Sequence, residues 1–198
     1  MSIEMMSRVA RFKAKAQNVD WPDNLVDFES SNFCVSGIKP LIEVMDEIHS
    51  SFVWCWSMKD YLKKTLYELN KNTHYSGKKK TNRENFGDHF ENEVNKYKEL
   101  TLCADIANSE KHGGLDRKPR SGEKVRLDIS HLLNISKHTI ANIQRLDGQY
   151  YITPKCKDAV KIKVNIINEN DVIISDAFLC IDKSLKAWDE ISSTYSST

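Results

Sequence analysis

Thr101–Leu115, TLCADIANSEKHGGL, starts apolar, turns polar and ends in two glycines. Read as a helix, it extends an apolar stripe made by Phe90, Val94, Tyr97, Leu100, Ala104 and Ala107. Beside that stripe run Thr101, Asp105, Asn108 and His112, at the three- and four-residue spacing that stacks side chains on one helical face. Gly113-Gly114 offers the left-handed backbone at which helices stop. Soon afterwards the period changes. Val125, Leu127 and Ile129 alternate with Lys124, Arg126 and Asp128, the pattern of a half-buried strand. Helices first and strands afterwards predict an α+β fold.

Upstream, residues 2 to 18 are expected to be helical, with Ile3, Met6, Val9, Ala10 and Phe12 on one side. Trp21-Pro22-Asp23 interrupts, because the residue before proline is pushed away from helix. Asn24 to Cys34, carrying Leu25, Val26, Phe28 and Phe33, is read as another helix, broken by Gly37 and Pro40. Leu41, Met45, Ile48, Phe52, Trp56, Leu62, Leu66 and Leu69 keep helical spacing and predict a long core helix over roughly 40–70. Residues 71 to 88 read as a mobile polar loop, and a helix from Asp88 to His112 follows.

Downstream, Ile140 to Leu146, Asp147-Gly148 and Gln149 to Thr153 read as a hairpin, because Asp-Gly favours a tight turn. Val160, Ile162, Val164 and Ile166 alternate as a further strand, and Asn168 to Asp171 turns it into Val172 to Ser175. A helix from Ala177 closes the chain, with Phe178, Ile181, Leu185 and Trp188 on one face and a frayed tail after Ile191. The expected architecture is one folding unit over 1–198. It has a mainly antiparallel helical bundle at 1–115, a small antiparallel β-sheet at 116–176 and a closing C-terminal helix at 177–192.

Twenty-nine basic residues against twenty-eight acidic ones argue against a generally basic nucleic-acid binder and leave room for local patches. No apolar run approaches the roughly 20 residues a membrane helix needs, so no membrane partner is expected. The N-terminus is too interrupted by charge for a secretory signal. Cys34, Cys55, Cys103, Cys156 and Cys180 are odd in number and scattered. They read as reduced core residues of a cytoplasmic protein rather than a disulfide framework or zinc site.

The chemistry is concentrated at the end of the 88–112 helix. His112 is either a general acid–base group or a cap whose protonated ring meets the negative end of the helix dipole. Asn108 can orient that ring, bind a phosphate oxygen, or serve local capping. Asp105 lies seven residues before His112 and cannot touch it along a straight helix, so its role is support through Asn108 or an arginine. Lys111 can neutralise phosphate or stay solvated. The loop Asp116 to Arg126 holds Arg117, Lys118, Arg120, Lys124 and Arg126 against Asp116 and Glu123, and Arg117, Lys118 and Arg120 are its candidate phosphate binders. Lys78, Lys79, Lys80 and Arg83 form a shorter basic run, read chiefly as a solvated loop and otherwise as an arm touching phosphate. No metal or cofactor is expected. His49, His74, His89, His131 and His138 are scattered, and Cys103 lies on a different helical face from the polar strip.

At Ala107–Gly113, ANSEKHG, the chain resembles the HEPN superfamily of helical-bundle domains found in prokaryotic toxins and abortive-infection proteins. The family's signature is an arginine, often followed by asparagine, and a histidine four to six residues on, near a helix end. Asn108 and His112 match, and Ala107 stands where the arginine belongs. A looser match, Arg83 to His89, falls where the sequence predicts the start of a helix. The resemblance covers residues 25 to 115 and extends in general character to helical proteins of bacteria and phages. It implies a homodimer that acts on RNA or a nucleotide in a defence or toxin setting, by metal-independent ribonuclease chemistry. His112 would then be the acid–base group, Asn108 the orienter, Lys111 and Arg117 the phosphate stabilisers, and Asp105 the support. Without the arginine, the alternative is a non-catalytic interaction module with His112 as a structural cap.

Overall fold

A computed structural model of the chain describes residues 3–19, 24–28, 32–112 and 118–196, and leaves out the side chains of 24–28, 32–36 and 110–112. In order these form α1 (Ile3–Gln17), β1 (Asn24–Phe28), β2 (Asn32–Ser36), α2 (Leu41–Leu69), α3 (Asn82–Val94) and α4 (Lys98–His112). Then follow β3 (Val125–Leu133), β4 (Ile140–Leu146), β5 (Gln149–Pro154), a 3-10 turn (Lys157–Ala159), β6 (Val160–Asn168), β7 (Ile173–Asp176) and α5 (Ala177–Ser196). The fold is α+β: helices dominate the N-terminal half, strands follow, and a C-terminal helix closes the chain. No helix among the described residues is long and apolar enough to cross a membrane.

The chain divides into two compact units. One comprises residues 1–13, 48–128 and 165–198, and the other comprises 14–47 and 129–164. These units are interleaved in sequence.

In the first unit, α2 buries Ile48, Phe52, Cys55, Trp56, Met58, Leu62 and Leu66, the face its periodicity predicts. Only its ends depart, with Leu41 and Leu69 exposed. From α3 and α4, Phe86, Phe90, Val94, Leu100, Ala104 and Ala107 are buried. Helix α5 packs along α4 and adds Phe178, Ile181 and Trp188, whose indole N–H donates to the Cys55 carbonyl at 3.1 Å. Ile191 and Tyr195 are also buried, so α5 continues in register through the tail expected to fray.

In the second unit, the four-stranded sheet runs β2-β1-β5-β4. Asp147 and Gly148 sit at φ 49° and 83°, positive at both central turn positions, as the tight β4–β5 hairpin requires. Val19, Ile152 and Val160 form a small core, with Ile38, Leu133, Ile140 and Ile162 packed against it. A three-stranded sheet, β3-β6-β7, completes the β content.

Three expectations are corrected. The helix expected over Asn24 to Cys34 is replaced by strands at Asn24–Phe28 and Asn32–Ser36: β1 pairs antiparallel with β2 and, on its other edge, with β5 through Leu25–Ile152 and Val26–Tyr151. Five-residue apolar clusters lack the length to distinguish the two periods, and pairing with a distant strand decides. The helix expected over 88–112 is two helices, because α3 ends at a C-cap on Asn95 and α4 restarts at Lys98. The loop expected to run to residue 88 ends earlier, since Thr81 starts α3 with a capping box. Thr81 Oγ1 accepts from the Glu84 N–H at 3.2 Å, and the Glu84 carboxylate accepts from the Thr81 N–H at 3.0 Å. That loop is also tied down. Asn82 accepts from the Tyr75 N–H and donates to the Thr73 carbonyl, while Asn85 accepts from the Lys79 N–H.

Candidate functional site

The polar strip of α4 splits between the core and the helix end. Thr101 is buried, and its hydroxyl donates back to the Lys98 carbonyl at 2.8 Å. Asp105 is 2% exposed. Its Oδ1 accepts from the Arg120 N–H at 2.9 Å, and its Oδ2 accepts from the Ser121 N–H at 2.8 Å and the Ser121 hydroxyl at 2.7 Å. A buried carboxylate needs such donors, and the loop backbone supplies them. Asp105 therefore fastens the 118–124 loop to α4; of the two partners the sequence offered, Asn108 or an arginine, it meets the backbone N–H of Arg120. Asn108 is half-buried one turn on. The Lys111 and His112 side chains, the Gly113-Gly114 cap and Arg117 lie outside the described residues.

Of the remaining expected phosphate binders, Lys118 is exposed. Arg120 is committed: its guanidinium donates to Glu91 at 2.9 Å and Asn95 at 3.1 Å, and lies 5.0 Å from the centroid of the Trp56 ring. Lys59, 4.8 Å from the same ring centroid, pairs with Glu91 at 3.1 Å. Trp56 is thus flanked by two cations that share one carboxylate. Burial raises the Glu91 carboxyl, but hydrogen bonds from Arg120 and Lys59, with their charges, outweigh it and hold the group below its ordinary value. Further along the loop, Lys124 pairs with Glu169 and Arg126 with Asp171. Much of the charge that makes this loop basic in sequence is neutralised by acids from elsewhere in the unit.

Ala107, in the position of the family's arginine, is fully buried. A guanidinium there would have to enter the core. The looser match is not assembled either. Arg83 lies over the Tyr67 ring at 5.5 Å, whereas His89 Nδ1 meets the Tyr195 hydroxyl at 2.8 Å. Six residues along one helix place the two side chains on different faces.

Cys55, Cys103 and Cys180 are buried. Burial, with neighbouring Cys55, pushes the Cys103 thiol well up, and burial beside Cys55 and Glu99 pushes Cys180 up to about 12. Neither is an activated nucleophile. Among the described residues no three His, Cys, Asp or Glu side chains converge as metal ligands.

Sequence reasoning placed Trp56 in the core, where it is, but missed Glu91 and Lys59 beside it. The spacing of Trp56 and Lys59, one turn apart on α2, was the available signal, and nothing local marks Glu91. The chain matches no protein-family model, no curated protein and no solved structure.

Proposed function

We propose that the chain is a HEPN-like module that binds RNA or a nucleotide at the end of α4 without cutting it. The supporting observation is the engagement of Asp105: a buried carboxylate holding two backbone N–H groups and a hydroxyl of the 118–124 loop acts as that loop's anchor, which favours a structural over a catalytic part for it. Ala107, buried where the family's arginine would stand, points the same way, and Arg120 is already paired with Glu91. Half-buried Asn108, exposed Lys118 and the Lys111 and His112 of the sequence suit phosphate recognition. The resemblance supplies the setting, prokaryotic defence or toxicity, and the homodimer.

Ribonuclease chemistry is the competing reading, with His112 as acid–base group, Asn108 as orienter and Lys111 and Arg117 on the phosphate. A labelled single-stranded RNA is incubated with the protein in EDTA, and both retention and length are measured. The expected result is retained, intact RNA, weaker retention by Lys118→Gln and Lys111→Gln, and no change of length with His112→Ala. Shortening by the wild type that His112→Ala abolishes would replace this reading with the ribonuclease. Failure to retain either RNA or a nucleotide would remove both.

A further inference from the structure

A cleft of about 350 Å³ lies between α2 and α3, lined by Lys63, Lys79, Arg83, Glu84, Gly87 and Asp88. Three cations from three elements converge there. Two carboxylates line it as well: Glu84, which accepts from the Thr81 N–H and hydroxyl as the helix cap, and Asp88, so three cations stand against two acids. Lys63 is 3.7 Å from Glu91, whose charge is shared with the closer Lys59 and Arg120, so it is left largely uncompensated. Lys78, Lys79, Lys80 and Arg83 form no ion pair with a described residue, unlike Arg120, Lys124 and Arg126 of the second basic loop.

The backbone that carries Lys79 is held in place. Asn85, on the first turn of α3, accepts from the Lys79 N–H at 3.0 Å and donates to the Lys79 carbonyl at 3.4 Å. Gly77 closes over the same side chain, and a Cβ there would come within 2.3 Å of Asn85 Oδ1. Gly87 sits inside α3, where glycine is unfavourable, and a Cβ there would meet Lys63 Cε and Nζ at 3.1 Å. Its absence lets the Lys63 ammonium lie against the helix and keeps the cleft floor open. The N-terminus of α3 adds its dipole to the same end.

We propose that this cleft is a phosphate site, separate from the end of α4, and that Lys78, Lys80 and Arg83 continue it along the backbone of a single-stranded RNA. Only the choice of RNA rests on the function proposed above. A small cleft takes one phosphate, and an adjoining run of unpaired cations suits the phosphates that follow it in a chain.

The test uses fluorescence anisotropy of a short labelled single-stranded RNA across a salt series, with ATP and inorganic pyrophosphate as competitors. Lys79→Gln/Arg83→Gln, both exposed positions, should weaken binding about tenfold. It should also flatten the log–log salt slope by about 1.4, roughly 0.7 for each lost phosphate contact. Gly87→Ala should keep or raise the melting temperature while weakening RNA binding severalfold, a split that a purely structural glycine would not give. Unchanged affinity and slope in the double variant overturn the site. ATP or pyrophosphate displacing the RNA at equal concentration overturns its extension along a backbone. Binding lost with Lys118→Gln but kept in both cleft variants leaves the α4 proposal standing and removes this one. Cleft variants that weaken RNA while Lys118→Gln does nothing have the reverse effect.

Discussion

Glu91 carries one charge and meets three cations, Lys59, Lys63 and Arg120. The fold favours its ionised form, because its carboxyl is held below the ordinary value of 4.5. Its contribution to stability is therefore complete above that value and is lost as pH falls through the lower folded value. Glu91→Gln is expected to be less stable than the wild type at about pH 7, yet to lose less of its stability on acidification to about pH 3. Urea midpoints across that range check this, and parallel profiles for the two proteins would refute it. The same network shows what could be read of the site. The spacing of Asp105, Asn108 and His112 was visible along one helix face. That Asp105 turns to the Arg120 and Ser121 backbone was not, since its partners lie in a loop with no periodicity.

At the scale of elements, the border between the polar loop and α3 rests on one side chain. Thr81 accepts from the Glu84 N–H, and Thr81→Ala removes that acceptor. The variant should lose about 1 kcal/mol, which Thr81→Ser largely restores. Thermal melts of the three proteins decide, and equal midpoints for wild type and alanine would show that the cap is dispensable. The capping box was present in the sequence as Thr81 and Glu84, but the lysines before it and the acids after it resemble loop. Helix α2 was legible because its apolar face repeats with one period over the whole length. The β4–β5 hairpin was legible because Asp147-Gly148 encodes its own turn. Strands β1 and β2 were not. A few residues such as Leu25, Val26 and Phe28 satisfy a helix face as well as a strand, and the pairing with β5 that selects the strand is remote in sequence.

Across the molecule, the near-balance of charge hides an uneven distribution: Arg120, Lys124 and Arg126 pair with acids, whereas Lys78, Lys79, Lys80 and Arg83 form no ion pair among the described residues. Within the first unit, Trp188 joins α5 to α2. It is fully buried, packs against Trp56 with ring centroids 6.4 Å apart, and bonds to the Cys55 carbonyl. Trp188→Phe removes that bond and leaves a gap, at a cost of about 2 kcal/mol read from denaturant unfolding. A variant as stable as the wild type would show that this contact does not hold α5. The sequence by itself determined the α+β class, the core faces of α2, α4 and α5, and the residue types at the end of α4. Burial repeats locally, so a period in the chain is enough to reveal it. Only the tertiary structure decided which strand β1 joins, that Asp105 holds a loop, and that Arg120, Lys124 and Arg126 meet acids. Each of these depends on a partner that folding brings from a distant part of the chain, and a local pattern holds no record of it.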